Sequence, residues 1–375
     1  MESALTAIKD ARRLVIKIGS ALLVNGADRS LRQSWLAAMA SDIAALKREG
    51  KQVILVSSGA IAMGMGPLGF QHRPSRLEEA QAAASVGQIR LAQAYQSLFD
   101  EHDMVIGQIL LTLHDLEQRP AYLNARNTID ALLERGVVPV INENDTVATS
   151  EIRFGDNDRL AARVAQMAGA DTLLLLSDID GLYDSDPTEN PDAKFFDRVD
   201  VITSEVEAMA GPPSKTTPGT GGMVTKLMAA KIALAGGCSM IIMNGKADHP
   251  IGRLLDGERA TLFPATTDAL TVRKQWIRSL MAPQGYLHLD AGAADALKRG
   301  ASLLPAGVTD VEGGFDRGDL VALMGPDGKL VGQGLVSYDN KDTYKIQGHK
   351  MQDVYDILGY VGRSALVHRD DLVLL

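Results

Sequence analysis

The sequence predicts an α/β protein: a three-layer αβα sandwich around an open, mainly parallel sheet, followed by a small β-rich barrel. Three observations carry this expectation. Short, nearly continuous apolar runs recur through the first part of the chain, as strands covered on both faces require. Segments with helical spacing alternate with them. After about residue 265 the texture changes to short strands separated by glycine turns.

Leu14–Ile18 is the first run and ends at Gly19-Ser20. Leu31, Trp35, Met39, Ile43 and Leu46 then recur at helical spacing, and Gly50 marks the stop. Val53–Val56 reads as a second buried strand, followed by Ser57-Ser58-Gly59. Val105–Leu111, Val137–Ile141, Thr172–Leu176 and Met240–Met243 continue the series. Pro264 and Pro283 bracket a transition in which Trp276–Met281 reads as strand-like. Beyond it, Leu320–Met324 and Leu330–Val336 flank Pro326-Asp327-Gly328 and read as a hairpin. These features divide the chain into a main domain at 1–265, a linker at 266–281 and a β-rich domain at 282–375.

Composition narrows the function. The 375 residues are 46% hydrophobic and 23% charged, which fits a folded protein with a real core. The net charge is −9, without runs of Lys and Arg, and this disfavours a nucleic-acid binder. Cys238 is the one cysteine, which suits a reducing cytoplasmic setting, and its apolar neighbours read as a buried strand. No apolar stretch reaches membrane-spanning length, and the N-terminal residues lack a signal-peptide core. The seven histidines show no metal-ligand spacing.

In open α/β sheets ligands bind beyond the carboxyl ends of the strands, so the segments after each strand matter most. Lys17 stands inside an apolar strand. It is either solvated on an edge or a buried cation aimed at a phosphate, with Gly19 admitting the backbone. Ser57-Ser58-Gly59-Ala60 is either a plain turn or a helix N-terminus presenting N–H groups to an anion. Asn142-Glu143-Asn144-Asp145 and Gly155-Asp156-Asn157-Asp158 form two polar, acidic clusters without the spacing of a calcium loop. Thr216–Lys226 is rich in glycine and opens a helix at Leu227–Leu234, yet it is not a Walker A loop. No GxGxxG follows the first strand, which disfavours a dinucleotide site.

Taken together, Lys17-Ile18-Gly19-Ser20, the segment Val56–Ile61, Tyr122–Thr128, the INEND run ending at Asp145, Phe154–Asp158 and Gly219–Lys226 resemble the amino-acid kinase family. Within it they are similar to members that phosphorylate the side-chain carboxylate of L-glutamate at the start of proline biosynthesis. Gly300–Val308 is similar to the opening of a PUA domain. The resemblance implies a catalytic kinase domain at 1–265 and a PUA-like domain at 282–375, with ATP and Mg²⁺ as cofactors. It implies Lys17 and Lys226 as the cations at the transferring phosphoryl group and Asp158 as the group that orients them. Ser58, Gly59, Ala60, Asp145 and Asn157 are then the glutamate-binding positions. Lys17, Ser177, Asp178, Thr220, Gly221, Gly222, Met223, Val224, Thr225 and Lys226 are the nucleotide-binding ones, with no protein-held metal. It further implies a homo-oligomer, a dimer or tetramer, and proline as feedback inhibitor, with the loop around Leu113–Arg126 as the place for inhibitor response.

The alternatives are a kinase of the same fold acting on N-acetylglutamate, aspartate, carbamate or a nucleoside monophosphate, an RNA-binding PUA protein, and a sensor without turnover. Residues 283–375 carry 9 basic and 13 acidic side chains, which makes that tail a poor ligand for RNA phosphates.

Overall fold

The computed structural model describes residues 3–26, 29–148, 157–211, 222–279 and 282–374. The chain forms two compact units, Met1–Ala269 and Leu270–Leu375.

In the first unit the apolar runs form strands β1 (Arg13–Ile18), β2 (Gln52–Ser57), β3 (Ile106–Leu111), β4 (Val138–Glu143) and β5 (Thr172–Ser177). A two-stranded ribbon, β6 (Leu182–Tyr183) with β7 (Phe195–Phe196), precedes β8 (Ser239–Asn244) and β9 (Ala260–Phe263). The seven-stranded sheet has the order β3-β4-β2-β1-β5-β8-β9. All its pairings are parallel except β8 with β9. Neither β9 nor the β6–β7 ribbon is signalled in the sequence, because runs of four residues and two carry little periodicity.

β1 is central. The chain turns to β2 on one side of it and later to β5 on the other. That reversal opens a crevice beyond the carboxyl ends of β1, β2 and β5. The central position also removes the reading of Lys17 as an edge residue: Lys17 pairs with Val56 and Leu175 and is 9% exposed.

Alternation along β1 decides where Lys17 points. Leu14, Ile16 and Ile18 join the core on one face of the sheet, with Trp35, Leu36 and Met39 of the helix Gln33–Arg48. Val15 joins the core on the other face, with Leu160, Ala161, Leu227 and Ala230. Lys17 lies two residues beyond Val15 and therefore faces the same layer. That layer holds the helices Asn157–Ala168 and Met223–Ala235.

Three segments differ from the sequence reading. β3 is a sheet edge rather than a doubly covered strand, with Leu110 36% exposed and Val105, just before the strand, 59% exposed. Leu113–Arg126 is helical rather than a loop. Thr112 and Asp115 close a capping box on the helix Leu113–Glu117, and Pro120 sits in the first turn of the helix Arg119–Glu134. The strand-like Trp276–Met281 falls in a helix, Ala269–Ser279, as far as its described residues run. Pro139 sits inside β4 without breaking the sheet, because pairing with β2 begins only at Val140.

The second unit carries a five-stranded sheet of β10 (Gly285–Leu289), β11 (Val308–Gly313), β12 (Leu320–Met324), β13 (Leu330–Val336) and β14 (Val367–Leu374). Its order is β11-β10-β12-β13-β14, and β12 with β13 is the expected hairpin. Leu287, Val321, Leu323, Val336 and Tyr338 fill its core. Asp371 is 4% exposed and is paired by Arg273 and Arg363. No described helix is long and apolar enough to cross a membrane.

Candidate active site

Asn157 and Asp158 open the helix Asn157–Ala168 directly beneath the carboxyl ends of β1 and β2. The Lys17 ammonium lies 2.6 Å from Asp158 Oδ1. Lys226, in the first turn of the helix Met223–Ala235, places its ammonium 3.5 Å from Oδ2 of the same carboxylate. Thr225 Oγ1 donates to that oxygen as well, at 3.2 Å. All three charged side chains are buried. Burial by itself would raise the Asp158 carboxyl. Lys17, then Lys226, and hydrogen bonds from Lys17 and Thr225 outweigh it and hold the group below the usual carboxylate range.

A second cluster adjoins the first. The Asn157 amide donates to Ser57 O at 2.7 Å, to Ser58 Oγ at 2.7 Å and to Asn142 Oδ1 at 3.1 Å. Asn142 in turn donates to Gln88 Oε1 at 2.8 Å and accepts from the Glu143 amide at 2.9 Å. This network ties the ends of β2 and β4 to the helix that carries Asp158. Asp145 stands just past β4, half-buried. Burial pushes its carboxyl up to about 6 against the opposing pull of Arg73.

Gly59 caps the short helix Ala60–Met65 with a φ of 97°, a left-handed conformation that a side chain resists. The helix is held by close contact. A Cβ on Gly64 would fall 1.8 Å from Ala83 O, and one on Gly87 would fall 1.7 Å from Ala60 O. Two glycines therefore let the helix Leu77–Asp100 press directly against the backbone that carries Gly59 and Ala60.

These segments line one cleft. It brings together Lys17, Ser58, Gly59, Ala60, Asp145, Asn157, Asp158, Ser177, Asp178 and Lys226 of the residues singled out in the sequence. Gly222 caps the helix Met223–Ala235, and Met223, Val224 and Thr225 form its first turn with Lys226. That helix begins a turn earlier than the sequence suggests, so the four residues before Leu227 belong to it and not to the glycine-rich loop. Thr220, Gly221 and Gly155-Asp156 lie outside the described residues. The cleft also takes in Asn142, Glu143 and Arg73, which the sequence reading did not single out as site residues. For Asn142 and Glu143 the signal was present: two polar residues end a strand that is otherwise apolar. Arg73 had none, since it sits in an irregular stretch ahead of a helix.

Cations buried around one carboxylate make a receptor for a compact, highly charged anion. The same arrangement is a poor cage for Mg²⁺, because both Asp158 oxygens already face ammonium groups.

Comparison with known proteins identifies the family. Residues 12–244 match the amino acid kinase family, and residues 285–358 match the PUA domain. A glutamate 5-kinase of Paramagnetospirillum magneticum is 55% identical over 97% of this chain and 98% of its own length. One from a Ruegeria species is 52% identical over 99% of this chain and 100% of its own. Another, from Bradyrhizobium diazoefficiens, is 54% identical over 97% of each chain.

Proposed function

The chain belongs to the amino acid kinase family, and from that premise we propose that it transfers the γ-phosphoryl group of ATP to the γ-carboxylate of L-glutamate. The product is L-glutamyl 5-phosphate, whose formation begins the conversion of glutamate to proline. The observation that carries this reading is the convergence of Lys17 and Lys226 on Asp158, in a cleft shared with Ser58, Asn157 and Asp145.

Lys17 and Lys226 take the equatorial oxygens of the migrating phosphoryl group, where negative charge accumulates in the transition state. Asp158 keeps the two ammonium groups close enough to act on one group of atoms. A γ-carboxylate oxygen of glutamate attacks phosphorus, the bond to the β–γ bridging oxygen breaks, and ADP leaves with the electron pair. The nucleophile has a solution pKa of about 4.3 and is already ionised at neutral pH. No side chain has to remove a proton from it, and a site made of lysines, amides and a shared carboxylate suffices. Asp145 receives the α-ammonium, with Ser58, Asn157 and the backbone of Gly59 and Ala60 around it.

Ser177 and Asp178, at the end of β5, and the segment Thr220–Lys226 serve the nucleotide. Mg²⁺ supplies charge neutralisation on the β- and γ-phosphates when bound with ATP. Residues 1–265 are the catalytic domain, 266–281 the linker and 282–375 the PUA-like domain. The family setting supports a cytoplasmic homo-oligomer, a dimer or tetramer, with proline as feedback inhibitor acting near Leu113–Arg126.

The test is ATP- and Mg²⁺-dependent formation of glutamyl hydroxamate in the presence of hydroxylamine, which traps an acyl phosphate. Glutamate is expected to give the product. Turnover of N-acetylglutamate with none of glutamate would overturn the reading.

A further inference from the structure

Among the described residues the cleft holds positive charge at two places. Lys17 and Lys226 converge at Asp158, and Arg73 lines the same cleft, where its charge acts on Asp145. A glutamate molecule with its γ-carboxylate toward the lysines and its α-ammonium on Asp145 has one more charge to place. The α-carboxylate hangs from the same carbon as the ammonium, so it must lie close to Asp145. Without a cation there, two carboxylates would face each other in a half-buried site, where such repulsion is poorly screened.

Arg73 is built to be in position for this. Its side chain is exposed at the cleft, while the stretch that bears it is held from below. The guanidinium of Arg29 donates to the carbonyls of Phe70 and Gln71. The Phe70 amide closes back on Met65 O at 3.0 Å. Pro74 restricts the backbone of Arg73 to extended conformations, which lowers the entropy lost when the side chain docks. A planar guanidinium is also the side chain whose geometry matches a carboxylate in two parallel hydrogen bonds.

We infer that Arg73 receives the α-carboxylate of the amino acid and thereby makes the site select an α-amino acid over an amine of the same length. Asp145 and Arg73 then form a zwitterion clamp, one side chain for each charge on the α-carbon, with the phosphoryl chemistry left to Lys17 and Lys226. The inference rests on the reading of the reaction given above and deepens it.

The experiment uses the full chain, the hydroxamate assay and two competitive inhibitors. Glutarate keeps both carboxylates and lacks the ammonium; 4-aminobutyrate keeps the ammonium and lacks the α-carboxylate. A hydrogen bond to a charged group corresponds to about 10- to 100-fold in binding. Arg73→Gln is therefore expected to raise the KM for glutamate and the inhibition constant of glutarate by about that factor. The inhibition constant of 4-aminobutyrate, the KM for ATP and kcat should stay within about twofold, and Arg73→Lys should recover part of the loss. Asp145→Asn should give the opposite pattern, weakening 4-aminobutyrate and sparing glutarate. Equal weakening of both inhibitors by Arg73→Gln, or an unchanged KM for glutamate, would overturn the assignment of Arg73 alone. Absence of glutamyl hydroxamate from the unaltered chain would instead overturn the reaction on which it rests.

Discussion

Adding one methyl group at Gly87, which does not itself line the cleft, should cripple the enzyme. The new Cβ would lie 1.7 Å from Ala60 O, 2.6 Å from Gly64 N and 2.8 Å from Ala60 C, all of them backbone atoms. Ordinary contact begins at about 3.5 Å, so the two helices must part by roughly 1.5 Å or more. Forced overpacking of this kind costs about 1–3 kcal/mol. In a unit of this size each kcal/mol lowers the melting temperature by about 2–4 °C, so Gly87→Ala should melt some 2–12 °C lower. The larger effect falls on catalysis. Ala60 and Gly59 head the short helix at the cleft, and a displacement of about 1 Å in substrate-positioning groups commonly costs about 10²-fold. The assay is kcat/KM for glutamate by hydroxamate formation, with thermal melting in parallel. Gly66→Ala is the control: it lies just past the same helix, its φ is −58°, and a Cβ there meets nothing within 4 Å. If Gly87→Ala keeps native kcat/KM and melting temperature, the close helix contact does not position the cleft and the reasoning fails.

Lys226→Ala should lower kcat by about 10²–10³-fold with a small change in the KM for glutamate, read from the same assay. Asp158→Asn removes the partner of two buried ammonium groups, and urea denaturation should show a loss of about 3–5 kcal/mol together with near-complete loss of turnover. The carboxyl of Asp145, pushed up to about 6, must be ionised to hold an ammonium. As the pH falls through about 6, the KM for glutamate should therefore climb toward tenfold per unit, and above about 7 it should level off. Asp145→Asn should bind weakly at every pH and lose that dependence; a pH-independent KM in the unaltered chain would count against the role given to Asp145.

Much of this architecture was legible in the residues. Runs such as Leu14–Ile18 and Thr172–Leu176 are long and apolar enough to name themselves as buried strands, and the strand ends then direct attention to Lys17 and Ser58. Alternation along β1 is enough to say that Lys17 shares a face with Val15. What could not be read is who stands opposite. The 3.5 Å approach of Lys226 to Asp158 depends on two helices whose adjacency leaves no periodic mark in the sequence. Arg73 was invisible for the same reason, since it reaches the cleft through an irregular stretch tethered by Arg29. The grouping of His288, Asp310 and Glu312, with ligand atoms within 4.8 Å, likewise arises across the β10–β11 pair and not along the chain. Trp276–Met281 misled for a different reason: a short apolar stretch fits strand or helix equally, and only packing decides.

The shared carboxylate of Asp158 gives the resting site a placeholder. Before any nucleotide arrives, two ammonium groups have already shed most of their water against an anion that never leaves. The energy of stripping those cations is thus met once, during folding, and not again at each encounter with substrate. In the proposed reaction an incoming phosphoryl group therefore meets counter-charges that are already dry and gathered around one resident anion.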